Sequence, residues 1–329
     1  MKKILALILT IAMILTFASC GGGETEEPQA EQSAPEGGIK IVTTAFPEYD
    51  WARVILGDNP SGAELTLLTD KGVDLHSYQP NAEDILKITT SDVLIYVGGE
   101  SDSYIEDTLK TMHNENMKEV CLLSIMGDSA KEEELVEGME AEAEEGDEGP
   151  EYDEHVWLSL RNASVLCDAV CDALCQADPE NEGYYRENLE AYKNELADLD
   201  TEYSKVTAEA GTKTLLFGDR FPFRYMTDDY GLDYYAAFVG CSSETEASFE
   251  TVTFLSKKVD ELGLKYVMTI ENSDGKIAQT IIDNTESKDQ EILSMNSMQS
   301  MEREDIEKGT SYLDIMKNNL EVLRTALGA

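Results

Sequence analysis

The chain has 329 residues, with 67 acidic against 25 basic side chains and a formal net charge of −42. So acidic a surface excludes the phosphate backbone of nucleic acids and disfavours anionic lipid headgroups, while it attracts cations. The length exceeds one typical core and fits two lobes of roughly 130 to 150 residues.

In chain order, Met1-Lys2-Lys3 supplies a positive start, and Ile4 to Ala18 is a run of 15 residues without charge. That run falls short of the roughly twenty apolar residues of a membrane span and ends in small residues, as a secretory signal does. Ser19-Cys20 follows, then three glycines and an acidic stretch bearing Pro and Gln. The segment resembles the lipobox of bacterial lipoproteins, with Phe17 where an aliphatic residue is usual. The resemblance implies a signal peptide over 1–19, a diacylglycerol on the Cys20 thiol and a flexible tether over 20–38. The protein is then expected on the extracytoplasmic face of the cell membrane, held there by lipid. The alternative is an ordinary signal peptide with an incidental Cys20.

Beyond the tether, short β-branched runs alternate with helical patterns. Strands are predicted at Ile39 to Thr44, Glu64 to Leu68, Val93 to Val97 and Val120 to Ser124. Helices are predicted at Pro47 to Gly57, Asn81 to Thr89 and Ser103 to Met112. This alternation predicts an α/β lobe with a parallel sheet over 39–177. Residues 131–154 interrupt it with 13 Asp or Glu and a single Lys. Such a segment buries no core and is expected to be a mobile loop, serving either to capture cations weakly or simply as a solvated linker.

Asn162 to Ala177 returns to helix. Cys167, Cys171 and Cys175 repeat there every four residues and form one stripe. Thiols along one helix face do not converge, so buried apolar packing is favoured over a metal trio. Asp178-Pro179-Glu180 starts a further helix reaching Ala208, with Tyr185, Leu189, Tyr192, Leu196 and Leu199 at helical spacing. About thirty residues at 1.5 Å each span more than 40 Å, so 178–208 is expected to connect the lobes rigidly. A second α/β series fills 209–329. Its strands are predicted at Thr214 to Phe217, Tyr234 to Phe238, Lys265 to Ile270 and Glu291 to Met295. Its helices are predicted at Phe221 to Tyr230, Ser248 to Leu262, Lys276 to Asn284 and Ser311 to Leu327. The fold class is thus α/β, with two similar lobes joined by one long helix.

The chain has only three histidines. His113, in MHNENMKE, reads as a surface residue. His76 follows the second strand in GVDLHSYQPNAEDILK, at the carboxyl end of a sheet where ligands of open α/β folds gather. His155 follows the acidic segment in DEHVWLSLRNA. Imidazole is the commonest transition-metal ligand near neutral pH, yet the spacing alone does not establish a shared site.

GVDLHSYQPNAEDILKITTSDVLIYVGG resembles the Pro/His segment of the metal-receptor lipoproteins of zinc and manganese ABC importers. DEHVWLSLRNA resembles their second signature, with Glu154 where proline is common. ADPENEGYYRENLEAYKNELADLD and SYLDIMKNNLEVLRTAL resemble their connecting and terminal helices. The likeness runs in order from Ile39 to Leu327. It implies one divalent ion held between the lobes, with His76 and His155 as the first two ligands. The third ligand position falls on Arg220, which cannot ligate, so neighbouring Asp219 is the candidate, with a helix N-cap before Phe221 as its alternative role. The fourth position falls on Asn296, a poor donor for a transition metal. Glu271 is expected to compensate, or else to pair with Arg220 or Arg224. Glu244 and Glu246 are expected to line the cleft.

The implied function is capture of Zn²⁺, with Mn²⁺ as the alternative, and delivery to an ABC permease and its ATPase by a monomeric receptor. The Irving–Williams order favours zinc over manganese. No catalytic residue is expected. Two other readings remain open at this point. One is a lipoprotein of the same fold with a degenerate metal site that binds another solute or a host surface. The other is a lipid-anchored metallohydrolase, for which the chain lacks an H-E-x-x-H motif.

Overall fold

The computed structural model describes residues 38–111, 114–140, 151–242 and 246–329. The leader, Cys20, nearly all of the tether, His113 and Glu244 lie outside the described residues. Among the described residues no helix is long and apolar enough to cross a membrane.

The first lobe runs β1 (Lys40–Thr43), α1 (Phe46–Leu56), β2 (Glu64–Leu67), α2 (Ala82–Thr90), β3 (Val93–Tyr96), α3 (Ser103–Thr111), β4 (Lys118–Cys121) and α4 (Leu122–Met126). Its parallel sheet has the order β2-β1-β3-β4, with Ile41 opposite Leu65 and Val93. β3 is buried along its whole length, as its unbroken VLIY run requires. The fourth strand ends sooner than its sequence suggested: it stops at Cys121, and Leu122 to Met126 turn helical, burying Leu122 and Met126.

Helix α5 (Leu160–Ala177) begins at Ser159, whose hydroxyl accepts from Asn162 N–H at 3.0 Å. Its Cys167, Cys171 and Cys175 are unpaired thiols buried in the apolar core, in keeping with packing rather than convergence. One 3-10 turn, Pro179–Asn181, then leads into α6 (Glu182–Glu209). With 28 residues, α6 is about 42 Å long.

The second lobe repeats the arrangement with β5 (Thr214–Phe221), α7 (Arg224–Tyr230), β6 (Asp233–Val239), α8 (Phe249–Leu262), β7 (Tyr266–Ile270), α9 (Lys276–Asp283), β8 (Glu291–Met295), α10 (Arg303–Glu307) and α11 (Tyr312–Leu327). Its parallel sheet has the order β6-β5-β7-β8, the counterpart of the first. The helix expected from Phe221 starts only at Arg224, because Pro222 biases Phe221 to extended backbone and β5 continues through it. The register of β5 on β6 shifts between Phe217 and Arg220. This bulge contains Gly218, where an added Cβ would lie 2.5 Å from the α9 backbone at Ala278. Only glycine permits that approach, and the extra residue re-aims Asp219 and Arg220.

One apolar cluster takes in residues from both sheets, among them Ile41, Trp51, Trp157, Phe217, Met268 and Leu320, with Tyr185 and Leu199 of α6 between them. Helix α6 packs on α1 and α5 in the first lobe and on α7 and α11 in the second. Polar ties cross the same seam. Trp157 Nε1 donates to the Ser297 carbonyl at 2.9 Å, and Tyr312 N–H donates to Asp50 at 2.8 Å.

The acidic segment departs from the expectation of a free loop at both of its described ends. Glu133 N–H donates to the Glu151 carbonyl and Asp153 N–H to the Lys131 carbonyl, each at 2.8 Å. The Tyr225 hydroxyl accepts from Lys131 N–H and donates to the Asp153 carbonyl, both at 2.9 Å. Further along, Glu140 N–H donates to the Ala237 carbonyl of β6 at 3.0 Å, and Met139 is buried. Apolar residues placed within the charge run, Val136 and Met139, give this arm something to bury.

Candidate metal centre

His76 sits in a single 3-10 turn, Leu75–Ser77, placed by its neighbours. Asp74 accepts from His76 N–H at 3.0 Å, and Leu75 is buried in the core. The strand-like stretch before it is stitched to the second lobe: Gly72 N–H donates to the Met301 carbonyl at 3.0 Å and Leu75 N–H to the Gln299 carbonyl at 3.1 Å. On the ring, Nδ1 lies 2.7 Å from the Ser101 hydroxyl, leaving Nε2 to point inward.

His155 is fully buried. The Asp153 carboxylate accepts from its backbone N–H and from Nδ1–H, both at 2.9 Å. That pair fixes the tautomer with the lone pair on Nε2, the carboxylate–histidine arrangement that raises ligand basicity in metal sites. Gly240 lies flat against the ring, where a Cβ would stand 2.9 Å from it.

The two Nε2 atoms are 3.2 Å apart. A tetrahedral zinc with Zn–N bonds of 2.0–2.1 Å separates two ligand nitrogens by about 3.3 Å. The imidazoles therefore already hold the spacing of a shared ion. A third donor lies beside them: Cys241, just beyond β6, has Sγ within 4.8 Å of a ring nitrogen of each histidine, and these three form the group of possible metal ligands among the described residues. Its backbone N–H donates to Glu133 of the acidic arm at 3.0 Å. Gln299 reaches the same point, its amide nitrogen 2.5 Å from His155 Nε2.

Two buried oxygens near the histidines lack hydrogen-bond partners, Oε1 of Gln299 and Oε2 of Glu154. The other oxygen of Glu154 accepts from Ser101 N–H at 3.0 Å, and Oε2 stands 3.7 Å from His76 Nδ1. Burial pushes the Glu154 carboxyl up to about 7. Burial, joined by repulsion from His155, lowers His76 to about 3. Burial also opposes charge on His155, but Asp153, Glu154 and Glu133 together outweigh it and raise its pKa. The Cys241 thiol is pushed well up by burial and by the same three carboxyls.

The second-lobe residues expected from sequence take different places. Asp219 lies on the bulge of β5 and not at a helix cap; one oxygen accepts from Arg220 N–H at 2.9 Å, and the other is buried without a partner. Glu271 is not one of the converging donors. Its carboxylate accepts from Ser297 N–H at 2.6 Å, Ser297 hydroxyl at 2.7 Å and Gln299 N–H at 3.1 Å, so it shapes the turn that carries Gln299. The alternative ion pairs of Glu271 are not formed, since Arg220 pairs with Asp74 and Arg224 with Glu134. Asn296 is likewise a turn former: its side chain accepts from Met298 N–H at 2.7 Å, and its backbone is bracketed by Asn319. Asp219 and Glu271 line a cleft of about 520 Å³ together with Asp74, Arg220, Asp274 and Glu302. Glu246 is exposed.

Cys241, Asp153, Glu154 and Gln299 are absent from the ligand set expected from sequence. A cysteine at the carboxyl end of a strand, in VGCSS, was the available signal for the first of them.

The family described as zinc-uptake complex component A periplasmic matches residues 41–326. The zinc-binding protein AdcA of Streptococcus pyogenes is 27% identical over 331 residues, which cover 98% of this chain and 61% of that protein. The chain thus spans about three-fifths of the streptococcal relatives. The high-affinity zinc uptake system protein ZnuA of Bacillus subtilis is 28% identical over 333 residues, 99% of this chain and 98% of the relative. Among solved structures, the Zn(II)-bound ZnuA-like domain of Streptococcus pneumoniae AdcA superposes with a TM-score of 0.69 at 26% identity, covering 89% of this chain and all of that domain.

Proposed function

The chain belongs to the zinc-uptake complex component A periplasmic family, and on that premise we propose that it is an extracytoplasmic receptor that captures Zn²⁺ for an ABC importer. The observation that carries this reading is the 3.2 Å approach of His76 Nε2 and His155 Nε2 at the seam between the lobes. Both imidazoles are oriented by partners on their Nδ1 atoms and turn their Nε2 atoms toward one point. The surrounding acidic surface raises the local concentration of cations. A buried center closed by protein donors suits binding and transfer, whereas hydrolytic metal sites keep a position open for water.

His76 and His155 are the first-lobe ligands in this reading. Asp219, with its unpartnered oxygen, is the second-lobe carboxylate that joins the ion as the cleft tightens. Glu271 acts through Gln299. Lipid on Cys20 keeps the receptor beside its permease and ATPase, and the receptor works as a monomer. Names of the relatives and the donor set both favour zinc over manganese.

The test is a competition titration of the purified, metal-stripped chain with Zn²⁺ and a chelating indicator. One tight equivalent is expected, with His76→Ala and His155→Ala each losing several kcal/mol from the roughly 10 to 16 kcal/mol of a complete zinc shell. A wild-type chain that binds no zinc would overturn the proposal.

A further inference from the structure

We propose that Cys241 supplies a thiolate to the ion, so that His76 Nε2, His155 Nε2 and Cys241 Sγ form a two-imidazole, one-thiolate face selecting zinc over manganese. The inference rests on the receptor reading above and adds a donor that neither the sequence motifs nor the likeness to known receptors supplies. Position Arg220, where a third ligand is expected, is spent on an ion pair with Asp74 and a hydrogen bond to the Ser242 carbonyl. The second lobe instead brings Cys241 Sγ within 4.8 Å of a ring nitrogen of each histidine.

The geometry is close to that of a bound ion. With Zn–S near 2.3 Å and Zn–N near 2.05 Å, a tetrahedral shell places sulfur about 3.6 Å from each nitrogen. A swing on the order of 1 Å therefore closes the shell. Gly240 on one side packs on the His155 ring without a side chain to block it. Glu133 accepts from the Cys241 backbone N–H at 3.0 Å and from its thiol, so the acidic arm anchors this residue beside the histidines. Independent of the thiol, the buried side chains of Glu154 and Gln299, only 2% and 3% exposed, each keep an oxygen without a partner beside the histidines. Uncompensated buried oxygens are costly, and a cation nearby would offset that cost.

Sulfur as a donor has a consequence for selectivity. Thiolate favours zinc over the harder manganese ion, beyond the preference imidazole already gives. The bond forms between the sulfur lone pair and the ion. The thiol proton passes to buffer, and no group is oxidised or reduced.

Cobalt(II) reports a thiolate ligand directly. Titrated into the metal-stripped chain, one equivalent should give an intense sulfur-to-cobalt charge-transfer band in the near ultraviolet. Cys241→Ser should still bind one equivalent but lose that band, weaken zinc at least tenfold and narrow the zinc-to-manganese affinity ratio. Cys121→Ser should keep the band. In the wild-type chain, one equivalent of Zn²⁺ should also protect Cys241 from iodoacetamide, read by peptide mass, a measurement that needs no variant. Stoichiometric cobalt without the band, a band that survives in Cys241→Ser, or alkylation unaffected by zinc would each overturn the thiolate assignment while leaving the receptor reading intact. Failure of the wild-type chain to bind either ion would overturn the receptor reading and this inference with it.

Discussion

Arg220 of the second lobe and Asp74 of the first meet across the cleft at 2.5 Å, two residues before His76 in the chain. Burial opposes the charge on Asp74, but the guanidinium outweighs it and holds the carboxyl below its usual range. The same Asp74 supports the His76 backbone through its other oxygen. A residue standing where the resemblance leads one to expect a ligand thus clamps the turn that carries His76.

Arg220→Ala should therefore loosen both the seam and the His76 turn. Leaving the partly buried Asp74 without its cation costs about 1–3 kcal/mol. At roughly 2 to 4 °C per kcal/mol for a chain of this size, melting should fall by several degrees. Thermal unfolding of metal-stripped protein checks this, and an unchanged transition would remove the clamp from the account.

Asp153→Asn keeps the shape of the side chain but weakens its hold on His155 Nδ1–H. Losing such an outer partner costs on the order of 10 to 100-fold in metal affinity. Competition titration should place the variant between wild type and His155→Ala. Wild-type affinity would show that Gly240 and Trp157 alone position the ring.

The two histidines respond to acid in opposite ways. His76, lowered to about 3, stays neutral and available as a ligand. His155, raised above the ordinary 6.5, holds a proton that an incoming ion must displace. In Cys241→Ser, where no thiol competes, zinc affinity should already begin to fall above pH 6.5 as the pH is lowered, and should then drop by up to about tenfold per pH unit, the signature of one imidazole proton. Wild type should lose one further proton per ion throughout. For metal-free stability, His155 contributes fully below 6.5 and fades as pH rises through its folded value. His76 costs stability as pH falls from 6.5 toward 3. A zinc affinity in Cys241→Ser that is flat down to pH 6 would contradict the assignment of the proton to His155.

Glu271→Gln separates a direct ligand from a turn support. As a support its loss should cost about 1–3 kcal/mol of stability in metal-stripped protein, because buried donors of Ser297 and Gln299 lose a charged acceptor. It should also weaken zinc, and Gln299→Ala should reproduce that weakening. If Glu271→Gln leaves the metal-free melting curve untouched and abolishes zinc binding, Glu271 is a ligand after all.

Cys20→Ala should abolish lipid attachment. Detergent-phase partitioning of expressed protein should shift from the detergent to the aqueous phase. A free Cys20 thiol in wild type, with unchanged partitioning of the variant, would sink the anchor.

The paired lobes were legible because β-branched runs and amphipathic helices alternate throughout, and local periodicity is enough to imply a parallel sheet. The pairing of His76 with His155 was legible because each sits in a distinctive local motif. Cys241 was not, since its role depends on the strand order that carries the end of β6 to the first lobe's histidines. The start of α7 was misjudged where Pro222 overrides the apolar spacing from Phe221 onward. Charge at a strand end is what makes Glu271 read as a ligand in the sequence. Only the positions of Ser297 and Gln299 reveal that its oxygens are already taken.

The shared apolar core has a thermodynamic consequence. Ile41 on β1 of one sheet and Phe217 on β5 of the other belong to a single cluster, with α6 packed among them. Removing either lobe would strand a large apolar face of that helix in water. The two sheets should therefore unfold together in one cooperative transition, not in sequence. An ion bound at their seam then stabilises the entire chain by about 4 kcal/mol at a thousandfold excess over its dissociation constant. Loaded and unloaded receptor would differ in heat resistance and protease survival along their full length.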